Sequence, residues 1–415
     1  MKKSLFAIAA VTAFAGAAQA QSSVTVYGIL DVGYVGSNTK STNGMTGVQS
    51  KTQNSQFGSG SESTSRLGFK GTEDLGGGTS AFFTVEMALN PTSPELSGSS
   101  TAKDSIQGTT NADGTFVNNR QSFVGIKQNG IGQVAIGRQY TGVFNAVGAT
   151  NATQNNNITG SVLYPRTGVA GSGQESGTAF TLRASNAITF QSDSFAGFRA
   201  NALYAMNNTN RTQTATAGGN TNWNGWGVGA DYTWKKLYVT AQYQSFKTLD
   251  TFAVPGAATV YSGTSSVTSG VVVPTSGTIS TASNLSDKQT YVGATYDFGI
   301  LKAYAGWIGR KVQQDTAVAP IAAGEQVNRN AQQIGVRSFI TPKVEAWGAI
   351  GTGKYKGAVG DATANFTGWQ LGSNYLLSKR TNLYAIYGQT NTSSTSNTVG
   401  SAASNQYAVG VRHTF

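Results

Sequence analysis

From Val24 to Phe415 the chain repeats one pattern: segments of about ten residues in which apolar side chains alternate with polar or small ones, the period of an extended strand. In Gly227 to Trp234, Val228, Ala230, Tyr232 and Trp234 share one face, and Gly227, Gly229, Asp231 and Thr233 the other. Residues 237–245 set Leu237, Val239, Ala241 and Tyr243 against Tyr238, Thr240, Gln242 and Gln244. Val292, Ala294, Tyr296 and Phe298 likewise oppose Gly293, Thr295 and Asp297. After residue 20 there is no stretch of about 18 apolar residues, so no helix is available to cross a bilayer. Charged residues are 11% of the chain, against about 25% in soluble proteins. Cysteine is absent, which excludes disulfides, thiolate metal sites and a Cys nucleophile. Alternating strands with an aromatic-rich apolar face, few charges and no spanning helix fit a closed all-β barrel in a membrane, where backbone polar groups must pair with one another.

The first twenty residues read differently. Lys2 and Lys3 precede an apolar run from Leu5 to Ala18, and Ala18-Gln19-Ala20 is a small-x-small cleavage pattern. This predicts a secretory signal peptide over 1–20 and a single barrel over 21–415.

The connections alternate between short and long. Glu73 to Gly77, Gln128-Asn129-Gly130, Lys235-Lys236, Gly299-Ile300, Thr341-Pro342 and Leu377 to Thr381 are tight. Long polar loops fall at about 37–62, 91–115, 141–178, 209–222, 249–286, 314–328, 357–364 and 393–403. Short periplasmic turns opposite long external loops are the asymmetry of a bacterial barrel. Sixteen antiparallel strands follow: 24–36, 63–72, 79–90, 116–127, 132–140, 179–191, 197–208, 223–234, 237–248, 287–298, 301–313, 329–340, 343–356, 365–377, 382–392 and 404–415.

Parity then sorts the charges. Leu67 and Phe69 lie opposite Arg66, Gly68 and Lys70. An arginine facing mid-bilayer lipid costs about 2–4 kcal/mol, so Arg66 and Lys70 face the lumen. Ile334, Val336 and Ile340 put Arg337 inside; Tyr407, Val409, Val411 and Phe415 share a face with His413 and put Arg412 inside. Arg120, Lys302 and Arg310 sort inward less cleanly. Asp31, Asp231 and Asp297 are inward on separate strands and read as solvated lumen carboxylates.

Several segments resemble the general trimeric diffusion porins of Gram-negative outer membranes, in the betaproteobacterial, neisserial-like branch. They are Val24 to Gly28, Ser65 to Gly71 with Glu73 to Gly76, Gly137-Arg138-Gln139, Leu377 to Thr381, and Val409 to Phe415. The resemblance implies a sixteen-stranded homotrimer exported to the bacterial outer membrane, with the third external loop, about 141–178, folded into the lumen. It also implies wall arginines at the constriction, at the matching positions Arg66, Arg138 and Arg183. Between the last two the only acid is Glu175, so the acidic cluster of cation-preferring pores is missing and an anion preference is expected. The terminal aromatic, Phe415, is expected to serve as the signal to the barrel-assembly machinery. Outer-membrane lipid, lipopolysaccharide and small polar or anionic solutes are the expected partners.

Other chemistry is not supported. The formal charge is +11, but the basic residues are scattered one per strand rather than in runs, so no nucleic-acid surface is expected. His413, the only histidine, sits at a strand end on the lipid face, away from any cleft a catalytic base needs. Gly351-Thr352-Gly353-Lys354 has the wrong spacing for a phosphate loop and reads as wall. No metal-ligand spacing occurs and no cofactor is expected. The reading is a passive channel, not an enzyme. The alternative is a non-conducting barrel that serves as a platform for an adhesin or surface antigen; no stretch resembles the plug it would need.

Overall fold

The structure is a computed structural model that describes residues 23–43, 46–92, 96–97, 118–165, 180–214, 217–250, 264–268, 271–275, 283–315, 326–356, 363–394 and 400–415. The expected signal peptide and Glu175 lie outside the described residues. The strands are β1 Ser23–Thr42, β2 Gln49–Ser59, β3 Arg66–Gly76, β4 Thr79–Ala88, β5 Asn119–Gln128, β6 Gly132–Tyr140, β7 Arg183–Ser192, β8 Phe198–Thr214, β9 Ala217–Trp234 and β10 Leu237–Asp250. They continue as β11 Thr264–Thr268, β12 Val271–Thr275, β13 Ser283–Asp297, β14 Lys302–Gln314, β15 Gln326–Thr341, β16 Val344–Lys356, β17 Thr363–Leu376, β18 Thr381–Ser394 and β19 Ser401–Thr414. One helix of the described residues, α1, spans Gly142–Thr150.

Every strand of the wall runs antiparallel to its neighbours, and β1 pairs with β19 to close the sheet. Closure removes the free edges that lipid could not hydrate. β11 and β12 form a separate ribbon within the loop after β10.

β8 and β9 extend into residues 209–214 and 217–222, expected as loop, and the number of wall strands differs from the predicted sixteen at one place. Residues 37–62, expected to be an external loop, instead lengthen β1 and supply β2. β2 pairs with the upper part of β1, from Val32 to Thr42, and β3 pairs with the lower part, from Ser23 to Ile29. Together β2 and β3 fill a single barrel position, so the sheet has seventeen strands but sixteen positions. Residues 60–65, between them, leave the ladder and turn inward.

Alternation sorts the two faces as the sequence predicts. Leu67 and Phe69 face out beside Val85 and Met87, while Thr240, Gln242 and Gln244 are buried on the inside. The buried apolar cluster therefore lies where a loop packs against the inner wall. It contains Val143 and Val147 of α1, Val162, Leu163 and Phe180, with Tyr291, Ile308 and Phe366 from the strands.

At the closing seam the last residue is part of the ladder. Gly28 donates its N–H to the Phe415 carbonyl at 3.0 Å, and the Phe415 N–H returns to Gly28 at 3.1 Å. The Phe415 ring lies over Gly28, where a Cβ would come within 2.4 Å of Cζ and 2.7 Å of the Arg66 carbonyl. The ring can rotate away; the Arg66 backbone cannot. Gly28→Val is expected to destabilise the barrel by about 1–3 kcal/mol through overpacking, read as earlier loss of the compact band on a heated gel. Unchanged heat resistance would show that the seam has room.

Candidate functional site

The lumen is narrowed by the chain between β6 and β7, whose ends are tied together. Thr141 caps α1 by accepting the Phe144 N–H at 3.3 Å, and its hydroxyl donates to the Thr181 carbonyl at 2.7 Å. From there the described part of the loop follows the inner wall. α1 lies against β10, β13 and β14. The hydroxyls of Thr150 and Tyr291 are 2.6 Å apart. Gln333 donates to Asn151 at 2.7 Å and accepts the Val162 N–H at 2.8 Å. Asn156 and Gln370 bond reciprocally at 2.6 and 3.0 Å. Thr159 donates its N–H to Gln406 at 2.9 Å. Wall glycines give the loop room: a Cβ on Gly293, Gly306, Gly351 or Gly388 would collide with a loop atom. In each case the loop answers a lumen-facing amide or hydroxyl, so the inward third loop is observed and is held by polar groups on several strands.

The loop is also tied to the break between β2 and β3. Asn157 donates its N–H to the Ser61 carbonyl at 2.9 Å and its side-chain amide to the Gly60 carbonyl at 2.5 Å. That inward turn closes on Asp31. The carboxylate accepts the N–H groups of Glu62 at 2.8 Å and Ser63 at 2.6 Å on Oδ2, and the Tyr384 hydroxyl at 2.7 Å on Oδ1. Asp31 is 0% exposed. The expectation of a solvated carboxylate is corrected: the inward turn covers it and supplies its donors.

On the side of β3 to β7, the cationic residues gather. Arg120 donates from Nε to Glu86 at 2.7 Å and from Nη2 to the Tyr140 hydroxyl at 2.6 Å. Arg66 lies 3.9 Å from the other Glu86 oxygen and donates to the Thr64 carbonyl at 2.9 Å and to Ser63 at 3.2 Å. Tyr27 donates to Glu86 at 3.2 Å. Arg183, 2% exposed, donates to the Tyr140 hydroxyl at 3.4 Å, with its guanidinium 4.9 Å from the ring centroid. The Tyr140 ring stacks on Phe144 of the loop, centroids 4.2 Å apart. Arg138 donates to the Asn119 carbonyl at 2.8 Å and to Ser185 at 2.9 Å.

Two irregularities build this cluster. Continued from the outward Val124 and Ile126, strict alternation would put Arg120 in lipid; continued from Val134 and Ile136, it would do the same to Arg138 and Tyr140. Arg120 is instead an extra residue: Glu86 pairs with Gln121 and Met87 with Asn119. Between β6 and β7 the register shifts again, where Gly137 pairs with Ala187 and Gln139 with Ala184, with Gly137 at φ 140° and Asn186 at φ 51°. Bulges re-aim the side chains that follow them.

The remaining expected lumen charges fall elsewhere. Lys70 is exposed, its ammonium 5.4 Å from the Tyr27 ring centroid. Arg337 makes a bidentate pair with Glu345 at 2.9 and 2.7 Å and donates to the loop carbonyl of Ala152 at 2.7 Å. Arg310 pairs with Asp287 at 3.0 and 2.7 Å. Arg412 donates to Asn382 at 3.1 Å and sits 3.4 Å from Glu62. The structure thus groups Arg66, Arg120, Arg138 and Arg183, and separates Lys70, Arg337 and Arg412 from them. Sequence reasoning did not single out Glu86 or Tyr140. The tight turn after β3 pairs Gly68 with Glu86, so hairpin register carried the signal for the acid beside Arg66.

A closed antiparallel barrel with a polar lumen and a loop folded into it defines a bacterial outer-membrane channel. The chain matches the family model for the Gram-negative porins over residues 7–395 and belongs to that family. It is 29% identical over 451 residues to an outer membrane porin protein of Bordetella pertussis, covering 100% of both chains. It is 30% identical over 207 residues to the major outer membrane protein P.IB of Neisseria gonorrhoeae, 49% of this chain and 48% of the other. Among solved structures it is similar to an anion-selective porin from Comamonas acidovorans, with TM-score 0.61 and 22% identity over 95% of this chain and 100% of that one. The protein is a Gram-negative outer-membrane porin, a passive channel and not an enzyme.

The Asp31 clasp yields a prediction. Asp31→Ala leaves three donors without their acceptor, two of them buried and costing about 1–3 kcal/mol each. The expected outcome is a barrel that unfolds at lower denaturant and a noisier open-channel current, because the inward turn and the loop it holds come loose. A quiet current from a normally stable variant would dismiss the clasp.

Proposed function

We propose that this porin passes small hydrophilic solutes with a preference for anions, set by Arg66, Arg138 and Arg183 together with Arg120. The observation that carries the reading is the grouping of four guanidinium groups on one side of the lumen: Arg66 and Arg120 pair with Glu86, and Arg138 and Arg183 lie beside Tyr140, which Arg120 also contacts. Arginine keeps its charge near neutral pH, so repulsion within the group is not relieved by loss of a proton. One unit pair at about 8 Å is worth roughly 0.5 kcal/mol in water and 2 kcal/mol at an effective dielectric of 20. Several such interactions bias which ions pass without binding any of them tightly. The description of the Comamonas acidovorans structure as anion-selective supports the same direction.

We further propose a homotrimer, exported by cleavage of residues 1–20, that contacts outer-membrane lipid and lipopolysaccharide and is folded by the barrel-assembly machinery through Phe415. Support for the last role is the position of Phe415, an outward terminal aromatic at the periplasmic end of the seam.

Reversal potential in a salt gradient tests the selectivity. The parent channel is expected to favour anions. Arg66→Ala with Arg138→Ala is expected to cut the anion-to-cation permeability ratio several-fold, since each lost charge removes about 1 kcal/mol of attraction. A cation-preferring parent, or a double variant with the parent's potential, would count against the cluster. For Phe415, deletion is expected to lower trimer yield in the outer membrane strongly; normal yield would remove the signalling role.

A further inference from the structure

In the upper halves of β13 to β16 the two faces of the wall carry different cations. On the lumen side Arg310 and Arg329 stand in this region and Arg337 lower on β15, with Asp287 and Glu345 paired to the first and last. The lysines in the upper halves of β13, β14 and β16 face out. Lys288 is exposed between the buried Asp287 and Gln289, and Lys354 and Lys356 are exposed and share the outward parity of Ile350 and Thr352 on β16. Lys311 follows the inward Arg310 on β14.

Register sets these lysines side by side. Lys288 pairs directly with Lys311, Lys311 with Asn328, and Asn328 with Lys356. One step lower, Asn330 pairs with Lys354. Like charges directly opposite across a ladder, as Lys288 and Lys311 are, are unfavourable. Below the lysines the same outward columns become those of a lipid-facing wall. Val292 pairs with Trp307, and two residues further down Ala305 pairs with Ile334 and Ile334 with Ile350. Tyr296 closes the column eight residues below Lys288. That distance is about 26 Å along the strand, or roughly 20 Å in depth at the usual tilt, so the ammonium groups stand at the outer border of an apolar band about 25 Å tall.

We propose that the outward row of Lys288, Lys311, Lys354 and Lys356, with the amide of Asn328 among them, binds the phosphate groups of an anionic glycolipid in the external leaflet. This deepens the proposed contact with lipopolysaccharide by assigning it residues and one face of the barrel. Lysine is suited to this position because its stem lies along the apolar wall while its hydrated point charge reaches the headgroup level. The phosphates in turn relieve the like-charge pair that the register imposes.

The test uses the whole folded porin in detergent, titrated with purified lipopolysaccharide, with bound lipid measured as phosphorus per chain. The variant K288Q/K311Q/K354Q/K356Q is expected to bind at least about tenfold more weakly, and the corresponding four lysine-to-arginine changes are expected to keep binding. Its conductance and reversal potential are expected to match the parent, because none of these side chains faces the lumen. Equal binding by parent and glutamine variant overturns the proposal, as does equal affinity of the parent for phosphatidylethanolamine vesicles. Inorganic phosphate added at the same phosphorus concentration separates the sources: weak competition is expected, and full displacement would make this a site for free phosphate and not lipid. Should the glutamine variant fail to fold, the pair K288Q/K311Q alone is expected to weaken binding several-fold, and parent-like binding there is equally decisive. A parent that binds lipopolysaccharide but conducts no ions would sink the channel reading and leave this one standing.

Discussion

The hydrogen-bonding demand of a backbone in hydrocarbon governs everything else in this molecule. Each strand satisfies its N–H and C=O groups only through its neighbours, so the sheet has to close, and it closes where Phe415 meets Gly28. Closure fixes register, and register fixes which side chain faces which solvent. The interior is then free to be polar, because water and the inward loop hydrate it.

The loop is held by the same logic applied to side chains. It turns its own amides and carbonyls toward wall residues such as Gln333, Gln370 and Arg337. Its apolar side chains fill the gap against Tyr291 and Ile308. The inward turn at 60–65 extends this scaffold to the cationic side. Asp31 fixes the turn, Asn157 ties the loop to it, and the turn's Thr64 carbonyl and Ser63 hydroxyl hold Arg66. Loop position and guanidinium position therefore share one support.

Much of this was legible in the sequence where strands are regular. Leu67 and Phe69 put Arg66 inside; Ile334 and Val336 did the same for Arg337, and Val409 and Val411 for Arg412. Arg120 sorted inward only roughly because an added residue between Asn119 and Gln121 interrupts the alternation with Val124 and Ile126, and nothing in the local composition marks it. The break between β2 and β3 was hidden for a related reason. Residues 49–59 are polar on both sides, as expected for strand that rises beyond the lipid, and so they read as loop. Asp31 was placed on the correct face but not in its environment, which depends on a turn about thirty residues away.

The division of cations between the faces follows from what each must do. Inside, a charge has to stay fixed against carbonyls, carboxylates and rings in a confined space. The planar guanidinium does this with several directed donors, as Arg337 does with Glu345, Ala152 and the Trp347 ring at once. Outside, above the apolar belt, a charge has to meet mobile headgroups and avoid burying donors that lipid tails cannot satisfy. A flexible ammonium fits that place, and Lys288 follows Asp287 as Lys311 follows Arg310, one step along the same strand. The two-residue period of the sheet thus separates a face that lines the channel from one that faces the membrane.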